Sequence, residues 1–135
     1  MLEPQTVRVL FVDDNPAVLR QVVQLLPPRY DVVETLSCGA GLAAAMARHR
    51  PDVVVLDISL PGNSGIALAT QLGSGAIPIV FLTVHHDPDY VRAAFEAGAW
   101  GYVVKMRLSL DLIPALEAAM AGRRFISPLP ELRID

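Results

Sequence analysis

Val7-Arg8-Val9-Leu10-Phe11-Val12-Asp13-Asp14 is a short apolar run that ends on two adjacent carboxylates. Two further runs share this form. Val53-Val54-Val55-Leu56 ends on Asp57, and Gly101-Tyr102-Val103-Val104 ends on Lys105. Continuous runs of Val, Ile and Leu only a few residues long mark strands buried on both faces, as in a parallel sheet covered by helices on either side. In such sheets, polar groups just past the carboxyl ends of strands converge on one crevice at a topological switch point. Asp13, Asp14, Asp57 and Lys105 are therefore expected together, as a cation site with a counter-charge beside it.

The runs alternate with amphipathic stretches. Strands are predicted near 7–12, 31–36, 52–57, 77–82 and 100–104, and helices near 16–26, 40–49, 65–72, 89–97 and 111–121. Asn15 is available as N-cap of the first helix, with Pro16 in its first turn, and Pro27-Pro28 stops it. Pro51 ends the second. Ser59-Leu60-Pro61-Gly62-Asn63-Ser64-Gly65 reads as a loop. Asp87-Pro88 opens the fourth helix, and Gly98 suits the position after its end. Pro114 would break a bond inside a helix starting at Ser109, so Asp111 is the expected N-cap of the fifth. Five βα units with right-handed crossovers give an α/β three-layer sandwich. The flavodoxin-like order 2-1-3-4-5 for a five-stranded parallel sheet puts the switch point between strands one and three, which carry Asp13, Asp14 and Asp57.

Composition narrows the function classes. The chain has 135 residues, 53 % of them hydrophobic and 19 % charged, as in one globular domain. No stretch reaches the roughly 18 unbroken apolar residues of a membrane span, and the first residues lack the pattern of a secretory signal. The one cysteine, Cys38, allows no internal disulfide, which fits a reducing cytoplasm; it is expected to pack as a small apolar group. The net charge is −3, and without a basic stripe the domain is not expected to bind nucleic acid itself. Metal-binding Cys/His spacings, a G-x-S-x-G elbow and a Walker-type loop are all missing from the sequence.

Three carboxylates in one crevice repel one another unless a cation neutralises them. Oxygen-only ligands with room for water favour Mg²⁺, and such an ion commonly also binds a phosphate oxygen. A carboxylate can itself accept a phosphoryl group, forming an aspartyl phosphate. A lysine supplies a compact positive charge for that transfer. Thr83, at the end of Ile79-Val80-Phe81-Leu82-Thr83, could donate a hydrogen bond from the neighbouring strand.

In this order the residues resemble the receiver domain of two-component response regulators, the CheY-like family. The match comprises Leu10-Phe11-Val12-Asp13-Asp14-Asn15, Val55-Leu56-Asp57-Ile58-Ser59-Leu60-Pro61, Gly65, Thr83 and Ala97-Gly98-Ala99-Trp100-Gly101-Tyr102-Val103-Val104-Lys105. The resemblance covers about residues 6–122. It implies that Asp57 is the phosphoacceptor and that Asp14 and the Ser59 backbone carbonyl ligate Mg²⁺ with it, Asp13 acting mainly through water. It further implies that Lys105 and Thr83 stabilise the phosphoryl group and that Thr83 and Tyr102 form a switch pair. The implied donor is a sensor histidine kinase or phosphotransfer protein. The domain would catalyse only its own phosphorylation and dephosphorylation, and activation could bring a homodimer.

Ala121-Gly122-Arg123-Arg124-Phe125-Ile126-Ser127-Pro128 resembles the linker start of NarL/FixJ-type regulators. This implies a receiver over 1–122, a linker over 123–135 and transcriptional control through a helix-turn-helix domain outside this chain. Four positions depart from the pattern. Val84 replaces a usual alanine and could crowd the phosphoryl site; Ser64 replaces an acid or amide; Asn15 stands where His is common. Met106 replaces a usual proline or charged residue, which argues against a cis peptide there. The alternative is a pseudo-receiver, an interaction module governed by dimerisation or a ligand, for which Val84 is the only support. Trp100 is expected to be packed or half-exposed, and His85-His86 to lie in a loop near the site.

Overall fold

The computed structural model describes residues 6–60, 63–72 and 77–128. Pro61, Gly62 and the predicted linker beyond Pro128 lie outside them. In chain order the elements are β1 (Val7–Val12), α1 (Pro16–Leu25), β2 (Tyr30–Leu36), α2 (Leu42–His49), β3 (Val53–Asp57), β4 (Ser59–Leu60), β5 (Asn63–Ser64), α3 (Gly65–Leu72), β6 (Ile79–Thr83), α4 (Pro88–Glu96), β7 (Gly101–Val104), α5 (Leu108–Met120) and β8 (Phe125–Ile126). A 3₁₀ turn precedes α2 at Gly39–Gly41 and another precedes α5 at Lys105–Arg107.

The main sheet runs β2-β1-β3-β6-β7-β8, with every pairing parallel. Its first five strands follow the expected flavodoxin-like order. The sixth, β8, corrects the five-strand expectation: Gly101 pairs with Phe125 and Tyr102 with Ile126. A two-residue strand carries no alternation to read, so the sequence hides it. A second small sheet is equally unforeseen. In the loop after β3, β4 and β5 pair antiparallel, Ser59 opposite Ser64 and Leu60 opposite Asn63.

Alternate side chains of β1, β3, β6 and β7 fill two cores, which is why β3, β6 and β7 are apolar almost throughout. Leu10, Val12, Val54, Leu56 and Phe81 pack with Leu42, Ala45, Leu68, Val91 and Ala94 from α2, α3 and α4. Val9, Phe11, Val53, Val55, Val80, Leu82 and Val103 pack against Val22 of α1 and Leu108, Leu112, Ala115 and Leu116 of α5. Trp100 packs half-buried at this second core, with the Arg124 guanidinium 5.1 Å above its ring. Cys38 is a half-buried free thiol.

Local signals at several helix ends act as expected. Asn15 caps α1, its side-chain oxygen accepting from Ala17 N at 2.9 Å. Gly98 follows α4 at φ 103°, a conformation that favours glycine. The start of α5 does not follow the expectation. The helix begins at Leu108, so Pro114 lies inside it and Asp111 sits in its first turn instead of capping it. Asp111 is buried and bonded to side chains on either side of the helix. That tertiary anchoring outweighs the local penalty of the proline.

Candidate functional site

The carboxyl ends of β1 and β3 are neighbours, with Val12 opposite Leu56. Asp57, the last residue of β3, therefore emerges beside Asp13. One carboxylate oxygen from each of Asp13, Asp14 and Asp57 lies within 4.8 Å of the others. Asp13 is 0 % and Asp57 3 % exposed, whereas Asp14 is open to solvent. Lys105 reaches over from the end of β7. Its Nζ lies 2.9 Å from Asp13 Oδ2 and 3.1 Å from Asp57 Oδ2.

Backbone amides hold the outer oxygens. Asn15 N donates to Asp13 Oδ1 at 2.8 Å, and Ser59 N donates to Asp57 Oδ1 at 2.9 Å. Gly65 lets α3 start directly beneath this loop. A Cβ there would overlap the Asp57 carbonyl and come 2.8 Å from Ile58 Cα, so any larger residue would displace the aspartate backbone.

Three carboxylates against one ammonium leave the crevice negative. Asp13 Oδ2 is buried, and the partner facing it is the Lys105 ammonium at 2.9 Å. Burial, with a smaller contribution from Asp57, raises the Asp13 pKa above 3.8 despite hydrogen bonds from Lys105 and Asn15. Burial alone would lower Lys105; its hydrogen bonds to Asp13 and Asp57, with their charges, outweigh this and raise it above 10.5. A buried, incompletely bonded carboxylate oxygen among hard oxygen donors is what a divalent cation such as Mg²⁺ requires, so the residues fit such an ion.

Thr83 and Tyr102 meet at one residue, His85. Thr83 Oγ1 accepts from His85 N at 3.0 Å, and the Tyr102 hydroxyl donates to His85 O at 2.8 Å. Both side chains are fully buried, and burial of the phenol raises its pKa, with Asp87 and Tyr90 adding to the effect. The structure thus turns Thr83 toward its own loop and gives it no hydrogen bond to Asp57. His85 also meets Ser59 Oγ through Nε2 at 2.9 Å and stacks on Tyr90, ring centroids 4.1 Å apart. Reading the sequence put His85 in a nearby loop and missed its bridging role. The available signal was a threonine two residues before it, which can close a turn with its hydroxyl. Val84 is 65 % exposed, so its added bulk stands largely in solvent. No peptide bond is cis among the described residues, including that before Met106.

Comparison with known proteins agrees with this geometry. The profile of the response regulator receiver domain matches residues 9–117. The transcriptional regulatory protein PdtaR of Mycobacterium tuberculosis is 35 % identical over 124 residues, covering 90 % of this chain and 60 % of that protein. The probable transcriptional regulatory protein NarL of the same organism is 29 % identical over 130 residues, covering 93 % and 60 %. Its receiver-domain structure superposes with a TM-score of 0.82, covering 89 % of this chain and all of that one. The crystal structure of a LuxR-family two-component response regulator from Aurantimonas sp. SI85-9A1 has a TM-score of 0.83 at 36 % identity, covering 92 % and 91 %. The chain spans about 60 % of the length of these curated relatives. Strand order, the acidic crevice with its lysine, and a match across most of the length identify the chain as a member of the response regulator receiver domain family, related to transcriptional regulators of the NarL/LuxR type.

Proposed function

We propose that the chain is a phosphorylation-dependent switch of a two-component system, with Asp57 as phosphoacceptor. One observation carries this reading. Asp57 ends a central strand with one oxygen held by Ser59 N and the other facing Lys105, beside two further carboxylates. An Asp57 oxygen attacks phosphorus, the bond to the donor nitrogen of a kinase or phosphotransfer histidine breaks, and the departing imidazole takes a proton. Asp14, Asp57 and the Ser59 carbonyl would hold Mg²⁺, with Asp13 behind them. When bound, the ion offsets the carboxylate charge and offers the phosphoryl oxygens a cation.

Lys105 is already poised between Asp13 and Asp57. It would follow the new charge on Asp57 and leave Asp13 to the metal. Thr83 would exchange its bond to His85 N for one to the phosphoryl group. That releases the loop which Tyr102 grips from below, biasing α4 and β7 between two packings. The domain acts on itself alone, accepting and slowly hydrolysing the phosphoryl group. Because the related regulators are longer and are named for transcription, we assign it control of a helix-turn-helix output domain in the native protein.

Incubating the purified domain with radiolabelled acetyl phosphate and Mg²⁺ should label it. Asp57→Asn should abolish the label; full labelling of that variant would overturn the assignment.

A further inference from the structure

Around the turn that Lys105 opens lies a buried polar cluster that the reaction does not use. Lys105 opens the 3₁₀ turn Lys105–Arg107, and the cluster pins both ends of that turn. At the near end, Val104 N donates to Ser127 Oγ at 3.1 Å. At the far end, Arg107 donates to Asp111 through Nε at 2.7 Å and its terminal nitrogen at 3.3 Å. The ends are joined, because Ser127 Oγ donates to Asp111 Oδ2 at 2.7 Å. Ser127 is 1 % and Asp111 5 % exposed. A hydroxyl can accept from an amide and donate to a carboxylate at once, which no apolar side chain can replace. Ser127 follows β8 directly, and its own N–H donates to Tyr102 O at 2.8 Å. Phe125 N reaches Trp100 O at 3.0 Å.

We propose that Ser127 and Asp111 are positioning residues for Lys105, coupling the acidic crevice to β8 at the edge of the sheet. The proposal rests on the phosphoacceptor reading. A change in where Lys105 sits shifts the turn, and the turn can move only with Ser127 and the strand that carries it. Linkage makes this reciprocal: docking of β8 favours the lysine position that meets the phosphoryl group, and occupation of the crevice tightens β8.

Amide hydrogen exchange on the whole 135-residue chain, with and without Mg²⁺ plus beryllofluoride as the phosphoryl mimic, tests both directions. In the unmodified protein the probe should shift the Asp57 and Ser59 amides and slow exchange at Val104, Phe125 and Ser127 by about threefold or more. Ser127→Ala should remain folded by circular dichroism, bind the probe about two- to tenfold more weakly and lose the response at Phe125. Asp111→Asn, which keeps the serine hydroxyl, should lose that response too and stands in should the first variant unfold. A response at Asp57 and Ser59 with none at Phe125 and Ser127 overturns the coupling alone. Variants that bind the probe as tightly as the parent overturn the positioning role. No response at Asp57 and Ser59 overturns the phosphoacceptor reading, and this proposal with it.

Discussion

Asp13 and Lys105 show how much an unneutralised site costs the fold. The Asp13 pKa is raised, chiefly by burial. Relative to the unfolded chain, its contribution is most favourable below about pH 3.8 and is lost as pH rises through the folded-state value. At neutral pH the charged side chain is thus a net burden in the absence of metal. Asp13→Asn should raise the melting temperature in Mg²⁺-free buffer at pH 7, with the gain shrinking as pH falls toward 4. Equal gains at both pH values would show that charge is not the cause. Lys105 has the opposite consequence. Its raised pKa means that its stabilisation is whole below pH 10.5 and fades above it. Lys105→Met leaves buried Asp13 and Asp57 without their ammonium, a change of the kind that costs about 3–5 kcal/mol at fully buried pairs. Side-chain exposure of 17 % puts the expected loss at the lower end. In urea unfolding, adding Asp13→Asn to Lys105→Met should recover more stability than Asp13→Asn gains alone, because Asp13 without its ammonium is left to repel Asp57. Strict additivity would mean that the two do not interact.

At the scale of elements, α5 separates local preference from tertiary demand. Pro114 lies in its interior, leaves the Leu110 carbonyl without its helical donor and crowds it. The residue is exposed, so Pro114→Ala leaves the core unchanged. The helix gain, offset by a more flexible unfolded chain, should come to about 1–2 kcal/mol. It should appear as a higher urea midpoint at unchanged m-value; a lower midpoint would mean that the proline shapes a contact the helix needs. Reading a capping Asp111 from the sequence failed here for a physical reason. The carboxylate is engaged by Arg107 four residues earlier and Ser127 sixteen later, and local capping statistics cannot register the second. The central strands β3, β6 and β7 were legible because each buries both faces and so spells an unbroken apolar run, and β1 reads almost as plainly; the edge strand β2, with Asp31 and Glu34 in it, was legible only from its valines and its place between two helices. The acids and the lysine were legible because parallel strands end together. β8, the β4–β5 pair and the His85 bridge were not, since each rests on two or three residues joined through backbone atoms, which leave no pattern in residue type.

For the whole molecule, the crevice sets stability against readiness to bind. The sheet holds two fully buried acid side chains at its switch point, where burial of apolar groups would stabilise the domain more. A fold arranged in this way gains stability from whatever ion completes the site, because ligand binding to the native state alone contributes RT ln(1 + [L]/Kd). With Mg²⁺ at ten times its Kd this is about 1.4 kcal/mol, or roughly 3–6 °C in melting temperature for a domain of this size. Thermal melts across a Mg²⁺ series at fixed ionic strength should therefore climb and keep climbing logarithmically above the Kd. Ca²⁺ should act more weakly, since its larger shell needs more oxygens than three carboxylates and the proposed carbonyl would supply. Asp14→Asn is the decisive comparison. Asp14 is exposed, so the substitution should leave the metal-free melt nearly unchanged while flattening the Mg²⁺ dependence. An undiminished rise in that variant would place the ion elsewhere and remove the electrostatic reason for gathering these acids at the ends of β1 and β3.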